Sequence, residues 1–404
     1  MRLKANLQLM KEMNLATVLH LIHREGRLTR AELTKRTGFS PATVSALVEE
    51  LIGSGYVQEV GEKPSAGAGR KAISLQIDKN GGCVAGVALG KAEMVCTVLN
   101  LYGEPVAEYR TPYRPNDEPL AQQVQAAIKS CMQRVETVNP ARLKGIGVSV
   151  PGIVDENGKT VLFSSTLRLA QLKLGEAVEA GFPGVPVRIV NDANAAAFAE
   201  HYSGAGKDKE SLIYFTIHEG VGAGIIVRSQ VHSGFRGGAG ELGHLVVDPQ
   251  GERCNCGQRG CLETVLTRPY ILADCQRKAV EQGVKAPGDF EELLVRYERG
   301  EPWLEPIFER ILHETLRMIA VSVSLASPEV VVLAGWLNRS AKLTSRLREA
   351  LDASPFPLRF TSDRVLTAKY GEQAALRGAA TLMLHDLFRA PDLGGPGGYS
   401  NGEK

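Results

Sequence analysis

Apolar residues recur at helical spacing over residues 15–23, stop at Gly26, and resume in the segment LTRAELTKRTGFSPATVSALVEELIGSGYV. This rhythm predicts helix, turn, helix. Thr29 is placed to cap a helix running to about Thr37, Gly38 permits the turn, and Ser40-Pro41 supplies an N-cap followed by proline at the first helical position. Ala31, Leu33, Val44, Leu47, Val48 and Leu51 would form a small core between the helices. That leaves Ala42, Thr43, Ser45 and Ala46 near the start of the second helix, where a recognition helix meets base edges. After Gly55, the run YVQEVGEKPSAGAGRKAISLQI reads as a two-stranded wing with GAGRK at its tip.

Residues 81–110 read as strands joined by tight turns, with Tyr102-Gly103-Glu104-Pro105 as a hairpin. A polar, proline-rich link, a helix to about Val138 and the strand GIGVSVPG follow. A second round starts near Val187 with VRIVNDANAAAFAEHY and continues through LIYFTIHEGVGAGIIVRSQVHSG. Strand hairpins followed by crossover helices, twice over, predict two α/β lobes with a cleft between them. The stretch 264–390 is helix-rich around one buried strand, EVVVLAGWL, and the end of the chain, LGGPGGYSNGEK, is glycine-rich and polar. The expected division is therefore 1–78 for the helix-turn-helix head, 79–390 for a body whose lobes divide near 190, and 391–404 for a disordered tail.

A chain of 404 residues with 44% hydrophobic and 23% charged residues has room for two or three domains and a large buried core. The net charge of +2 does not mark a nucleic-acid binder, so any basic surface must be local. It is local: residues 1–75 hold eleven Lys and Arg against seven Asp and Glu. Among them Arg30 opens the first helix of the pair, and Arg70 and Lys71 at the wing tip can enter a minor groove or grip phosphates. No apolar run approaches the ~20 residues that span a bilayer, and the N-terminus lacks a signal-peptide cleavage site, so a cytoplasmic protein is expected.

The densest chemistry lies in 241–263, ELGHLVVDPQGERCNCGQRGCLE. Cys254, Cys256 and Cys261 form C-x-C-x4-C with His244 ten residues upstream, which makes three thiolates and one imidazole available to a closed tetrahedral shell. Soft sulfur ligands favour Zn2+ over Mg2+ or Ca2+. A closed Cys3His shell leaves no open position for a reactive water, so a zinc ion here is expected to be structural, holding Glu241, His244 and Glu263 in place. The four remaining cysteines, Cys83, Cys96, Cys131 and Cys275, sit in apolar or helical surroundings and read as buried reduced thiols. Elsewhere, Asn191-Asp192-Ala193-Asn194 precedes an alanine-rich helix. Asp192 can accept hydrogen bonds from a ligand hydroxyl or take its proton, and it can equally cap the helix.

ELGH followed by C-x-C-G-x-x-G-C-L-E closely resembles the ROK family of bacterial sugar kinases and sugar-responsive repressors. The progression TRAEL…TGFSPATVS…GY…GRK resembles the winged helix-turn-helix of its repressor branch, including the xylose repressors. The resemblance implies an actin-like, ribonuclease H-like duplicated fold for the body. It implies zinc on His244, Cys254, Cys256 and Cys261, and a sugar facing Asn191, Asp192, Glu241, His244 and Glu263. Thr166 stands where sugar-binding members often carry an Asn, and Ser149-Val150-Pro151-Gly152 resembles another sugar loop of the family. DNA contacts are then expected from Arg30, Ser40, Ala42, Thr43, Ser45, Arg70 and Lys71, with operator DNA, a small sugar such as xylose or glucose, and a second copy of the chain as partners. Two phosphate loops of the family kinases are altered. Ala88 and Lys91-Ala92 stand where the kinases have an Asp and a Gly-Thr, and Glu219 replaces a Thr, which implies a sensor in which Asp192 is a vestigial kinase base. The competing expectation is an active ATP-dependent sugar kinase with an appended DNA-binding head.

Overall fold

The computed structural model describes residues 2–63, 72–115, 118–136, 139–353 and 360–389. Helix α1 (Arg2–Glu25) starts well before the periodic stretch at 15–23 and leads into β1 (Leu28–Thr29), α2 (Arg30–Thr37) and α3 (Pro41–Gly53). The start of α2 is fixed by a reciprocal capping box: the Thr29 hydroxyl accepts from the Glu32 N–H, and the Glu32 carboxylate accepts from the Thr29 N–H at 2.8 Å. The helix stops at Gly38, whose φ of +71° suits glycine best. Ser40 caps α3 by accepting from the Thr43 N–H, with Pro41 in the first turn. Strands β2 (Val57–Lys63) and β3 (Ala72–Ile77) form an antiparallel hairpin, and β1 joins it to give the order β1-β3-β2, a winged helix. The wing tip, with Arg70 and Lys71, lies outside the described residues.

Ala31 does not join the core of this head; it is exposed. On α2 it lies two residues from Leu33, about 200° around the helix, so the two cannot face the same side. Leu33, Val44, Leu47, Val48 and Leu51 are buried as expected, and α1 completes their packing with Val18, Leu19 and Ile22.

The body begins with β4 (Cys83–Leu89), β5 (Glu93–Asn100), β6 (Pro105–Pro112) and α4 (Leu120–Met132), which ends six residues before the expected Val138. After it come β7 (Leu143–Val150), the small strands β8 (Ile153–Val154), β9 (Val161–Ser164) and β10 (Leu169–Leu172), α5 (Leu174–Glu179), β11 (Val187–Asn191) and α6 (Asp192–Ser203). The main sheet of this lobe has the order β11-β7-β4-β5-β6. The second lobe repeats the plan with β12 (Leu212–Ile217), β13 (Val221–Val227) and β14 (Gln230–Val231). These are followed by helices α7 (Glu263–Leu266), α8 (Arg268–Glu281), α9 (Phe290–Glu298) and α10 (Glu305–Ala326), and by β15 (Val330–Gly335), α11 (Ala341–Asp352) and β16 (Val365–Thr367). Its sheet order is β14-β13-β12-β15-β16. In both sheets an antiparallel meander is extended by two strands parallel to its first strand, so the duplication is visible in the topology itself.

The last helix, α12 (Ala374–Phe388), returns to the first lobe and packs on α6, β7 and β4. The approach is close enough to require glycine on both sides. A Cβ on Gly147 would meet the Ala379 carbonyl at 1.9 Å, and one on Gly378 would meet the Ala195 carbonyl at 1.8 Å. The two lobes are therefore not two contiguous halves of the chain, because the first is finished by the last helix. The apolar core of the head also continues into this region, since Val84, Leu99, Met383 and Phe388 belong to the same buried cluster as Ile22 and Leu47.

Candidate functional sites

The loop between β14 and α7 brings its four soft donors together. One donor atom from each of His244, Cys254, Cys256 and Cys261 lies within 4.8 Å of every other. The Cys256 and Cys261 sulfurs are 3.6 Å apart, and the Cys254 sulfur is 3.7 Å from His244 Nδ1. Ligands about 2.3 Å and 2.0–2.1 Å from one tetrahedral Zn2+ would be spaced about 3.8 Å between two sulfurs and about 3.6 Å between sulfur and nitrogen. The donor set thus fits such an ion, and the thiols are free rather than disulfide-bonded. The loop can close this tightly because Gly260, at φ +65°, lies against the Asp248 carbonyl where a Cβ would come within 1.4 Å. Burial opposes ionisation of Cys256, yet the Gln258 N–H and the neighbouring thiols bring it down to about 7, so the cluster holds a thiol already disposed to become a thiolate.

Two carboxylates lie beside this cluster. Glu241 Oε2 lies 3.9 Å from His244 Nε2, and Glu263 Oε2 lies 4.0 Å from His244 Nδ1 and 3.3 Å from the Cys254 sulfur. The other Glu263 oxygen accepts from the Val221 N–H at 3.3 Å, which ties the cluster to the start of β13. Burial raises Glu241, with His244 pulling it down and Glu263 pushing it up. Asp192 is close enough to feel Glu241, and it is pushed up to about 6 by burial and that neighbour, against the Ala193 N–H that favours its charged form. Glu241, His244 and Glu263 therefore form one group, and Asp192, on a different helix from Glu263, is near enough to Glu241 to feel its charge.

Asn191 and Thr166 stand differently. Asn191 is the cap of α6: its carbonyl oxygen accepts from the Asn194 N–H at 2.9 Å and its amide donates to the Gly152 carbonyl at 3.0 Å. Both ends of the amide are engaged, so Asn191 holds the Gly152 carbonyl and caps α6, while Asp192 Oδ1 accepts from the Ala193 N–H at 2.9 Å. Thr166 is exposed in the β9–β10 turn, two residues beyond Ser164, whose hydroxyl donates to the Pro151 carbonyl. No contact brings Thr166 to Asp192.

In the head, Ala42, Thr43 and Ala46 are exposed at the start of α3 and Ser45 is half-buried. The Ser40 hydroxyl is spent on its cap and on Thr43 Oγ1 at 2.8 Å, so its part is to shape the helix start. Arg30 is paired with Glu59 at 2.7 Å.

The ROK family profile matches residues 84–386. A putative xylose repressor from Caldicellulosiruptor sp. (strain Rt8B.4) is 30% identical over 400 residues, covering 96% of this chain and 99% of that protein. The chain belongs to the ROK family. A MarR family profile matches residues 16–71, the head of this ROK protein. The DNA-binding transcriptional dual regulator NagC of Escherichia coli (strain K12) is 29% identical over 347 residues, 84% of each chain. Among solved structures, a ROK family transcriptional regulator described as a homolog of the E. coli MLC protein superposes with a TM-score of 0.78 at 26% identity, covering 94% of this chain and 98% of that one.

Sequence reasoning missed Arg268. Its Nη2 pairs with Glu219 at 3.0 Å, its backbone N–H donates to the His218 carbonyl at 3.1 Å, and its Nε is buried without a partner. Arg268 lies five residues beyond Glu263, but nothing in its surroundings along the chain points back to Glu219; only the return of α8 to the β12–β13 turn does so.

Proposed function

We propose that this ROK protein is a sugar-responsive transcriptional repressor in which the winged helix binds operator DNA and the cleft between the lobes binds a free, uncharged sugar. The observation that carries this reading is the convergence of Asp192, Glu241, His244 and Glu263 in one chain with a winged helix. Carboxylates accept hydrogen bonds from sugar hydroxyls and repel phosphate, so three of them in one cleft favour a neutral polyol such as xylose or glucose over its phosphate ester. Asn191 positions the 149–152 loop, and Thr166 offers one hydroxyl at the rim. The metal on His244, Cys254, Cys256 and Cys261 is Zn2+ in a structural role. With Nδ1 given to the metal, His244 keeps Nε2 to donate toward Glu241 or a sugar hydroxyl. The active unit is a homodimer reading two half-sites, with DNA contacts from the start of α3, from Arg30 after it leaves Glu59, and from Arg70 and Lys71. The sugar releases the protein from its operator, and the protein works in the cytoplasm on the nucleoid.

One observation favours a kinase: a half-buried aspartate near pKa 6 suits a general base. Against it stand Ala88 and Lys91-Ala92 in the β4–β5 hairpin, and the Glu219 carboxylate, which already satisfies Arg268 at the β12–β13 turn. The deciding experiment is a thermal-shift screen of the purified protein against free sugars and sugar phosphates, with and without Mg-ATP. Stabilisation by one free sugar and none by Mg-ATP is expected. Stabilisation requiring Mg-ATP, with transfer of phosphate to the sugar, would establish the kinase. No response to any sugar would overturn the sugar-sensing assignment. No helix among the described residues is long and apolar enough to cross a membrane.

A further inference from the structure

The head and the first lobe share an apolar core, and apolar contact by itself holds two bodies together without fixing their rotation. Directional bonds do that. Those joining these bodies include the Tyr102 hydroxyl on the Ile77 carbonyl of β3 at 3.4 Å and two sets that reach α3 and α1. The first is Lys144 on β7. Its Nζ donates to the Ser54 carbonyl at 2.7 Å, and it lies over the Tyr56 ring at 4.1 Å. Ser54 is the C-cap of α3, so the ammonium satisfies a carbonyl at the negative end of the recognition helix. Beside it, Gly55 and Gly81 pass so closely that a Cβ on Gly81 would meet the Gly55 carbonyl at 1.9 Å. The second set is on α12. The Phe388 carbonyl accepts from His20 Nδ1–H at 2.9 Å, and the Phe388 ring stacks on His23 with centroids 4.1 Å apart and planes within 4°.

Both anchors sit on elements whose other ends reach the proposed sugar cleft. From Lys144, β7 runs about 20 Å to Val150 and the 151–152 turn whose carbonyl holds Asn191. From Phe388, α12 lies along α6, which begins at Asp192, and Arg188 on β11 ties Asp386 at 2.7 Å. We propose that Lys144 and His20 are positioning residues of the DNA-binding head, fixing α3 at one orientation on the first lobe so that the body sets the half-site spacing a dimer reads. This rests on the repressor assignment above. The side chains touch no DNA in this role; they act through α3 and α1.

The test compares wild type with the K144M/H20L double variant and with K144R/H20N. Met retains the apolar stem of Lys144 and loses its charge, whereas Arg retains a donor and the ring contact. Asn places an amide nitrogen near the position of His Nδ1, and Leu places none. The probe is a duplex selected by the wild-type protein from a random pool, remade with two base pairs added or removed between its half-sites. Two base pairs rotate one half-site by about 70° around the duplex, which a rigid pair of heads cannot follow. The wild type is expected to prefer its own spacing by about 30-fold or more, the K144M/H20L variant by less than about 5-fold, and K144R/H20N to return to the wild-type ratio. Affinity for a single half-site and the thermal midpoint should stay close to wild type in all three. An independent arm places encoded spin-label residues at the exposed positions Glu49 on α3 and Glu176 on α5 and measures the distance between them within one chain. A narrow distribution in wild type that broadens in K144M/H20L supports the proposal. A broad wild-type distribution, or a double variant that keeps both the narrow distribution and the wild-type spacing preference, overturns it. A wild type that selects no DNA would remove the repressor assignment, and the distance arm would still decide the docking.

Discussion

Replacing Asp192 with Asn separates ligand recognition from stability, because the two effects have opposite signs. The folded protein holds Asp192 near 6 rather than 3.8, a shift of about two units caused by burial first and by Glu241 in addition. A group whose folded pKa is raised favours folding least when ionised. Its penalty is absent below pH 4, grows between 4 and 6, and is complete above 6. At ~1.4 kcal/mol per unit the penalty is on the order of 3 kcal/mol at neutral pH. The amide cannot ionise, keeps the Ala193 N–H as a donor to its oxygen, and leaves the Asn191 cap intact. Without sugar, Asp192→Asn should therefore be more stable than wild type above pH 6, with the difference shrinking by about half between pH 8 and pH 5. Glu241 loses a neighbouring charge in the variant and should ionise more readily, which adds to the gain. Sugar affinity should move the other way. Losing hydrogen bonds to a charged acceptor, worth about 1.5–3 kcal/mol, weakens binding about 10- to 150-fold. The wild-type affinity should fall about tenfold per pH unit below 6, whereas that of the variant should be flat. Urea or thermal unfolding across pH 5–8, with calorimetric titration of the sugar found by screening, reads both arms. Unchanged sugar affinity in the variant, or a stability difference that ignores pH, would refute the reasoning.

Cys254→Ser and Cys256→Ser should each lose the metal and, through Glu263, most of the sugar response; full zinc occupancy by elemental analysis of either variant would contradict the shell. Ala42→Glu places a carboxylate on the exposed start of α3 and should weaken operator binding at least about 100-fold in a mobility-shift titration, with sugar affinity unchanged. Gly147→Val drives a side chain into the Ala379 carbonyl and should cost about 3 kcal/mol or more, seen as a lowered unfolding midpoint or insoluble protein; normal stability would mean that α12 can lift off β7.

What could be read along the chain was what short-range rules govern. The limits of α2 and α3 follow from Thr29, Gly38 and the Ser40-Pro41 pair, because a cap or a left-handed residue decides a helix end within four residues. The clustering of His244, Cys254, Cys256 and Cys261 was legible for the same reason: four soft donors drawn from one loop leave their spacing in that loop. Features set by tertiary return were not legible. The Lys144–Ser54 bond spans 90 positions and the His20–Phe388 bond spans 368, so no local pattern marks either. The early start of α1 was overlooked although Leu3, Leu7, Met10 and Met13 recur at helical spacing, and α12 read as one more helix of the second lobe until its glycine contacts placed it on β7 and α6. Ala31 was misplaced by counting apolar residues without following the angle at which each leaves the helix.

The same carboxylates that would recognise the sugar also give the lobes a reason to respond to it. Asp192 starts α6 beside the first sheet, while Glu241 and Glu263 belong to the second lobe; burial raises Asp192 and Glu241, and the charge of Glu241 adds to the first shift as that of Glu263 adds to the second. Without ligand, bringing the lobes together drives like charges into a drier space, and that opposes closure. On the proposed assignment, a neutral sugar would supply hydroxyl donors to all three at once and so would bind the closed arrangement better than the open one. Such a difference in affinity is what a ligand needs to shift an equilibrium. A phosphate ester would add charge where charge is already the obstacle, and Glu219 keeps Arg268 from offsetting it. Because β7 and α12 both belong to the first lobe and carry the anchors of the head, α3 would move with that lobe as the lobe angle changes, without any sugar contact near the DNA.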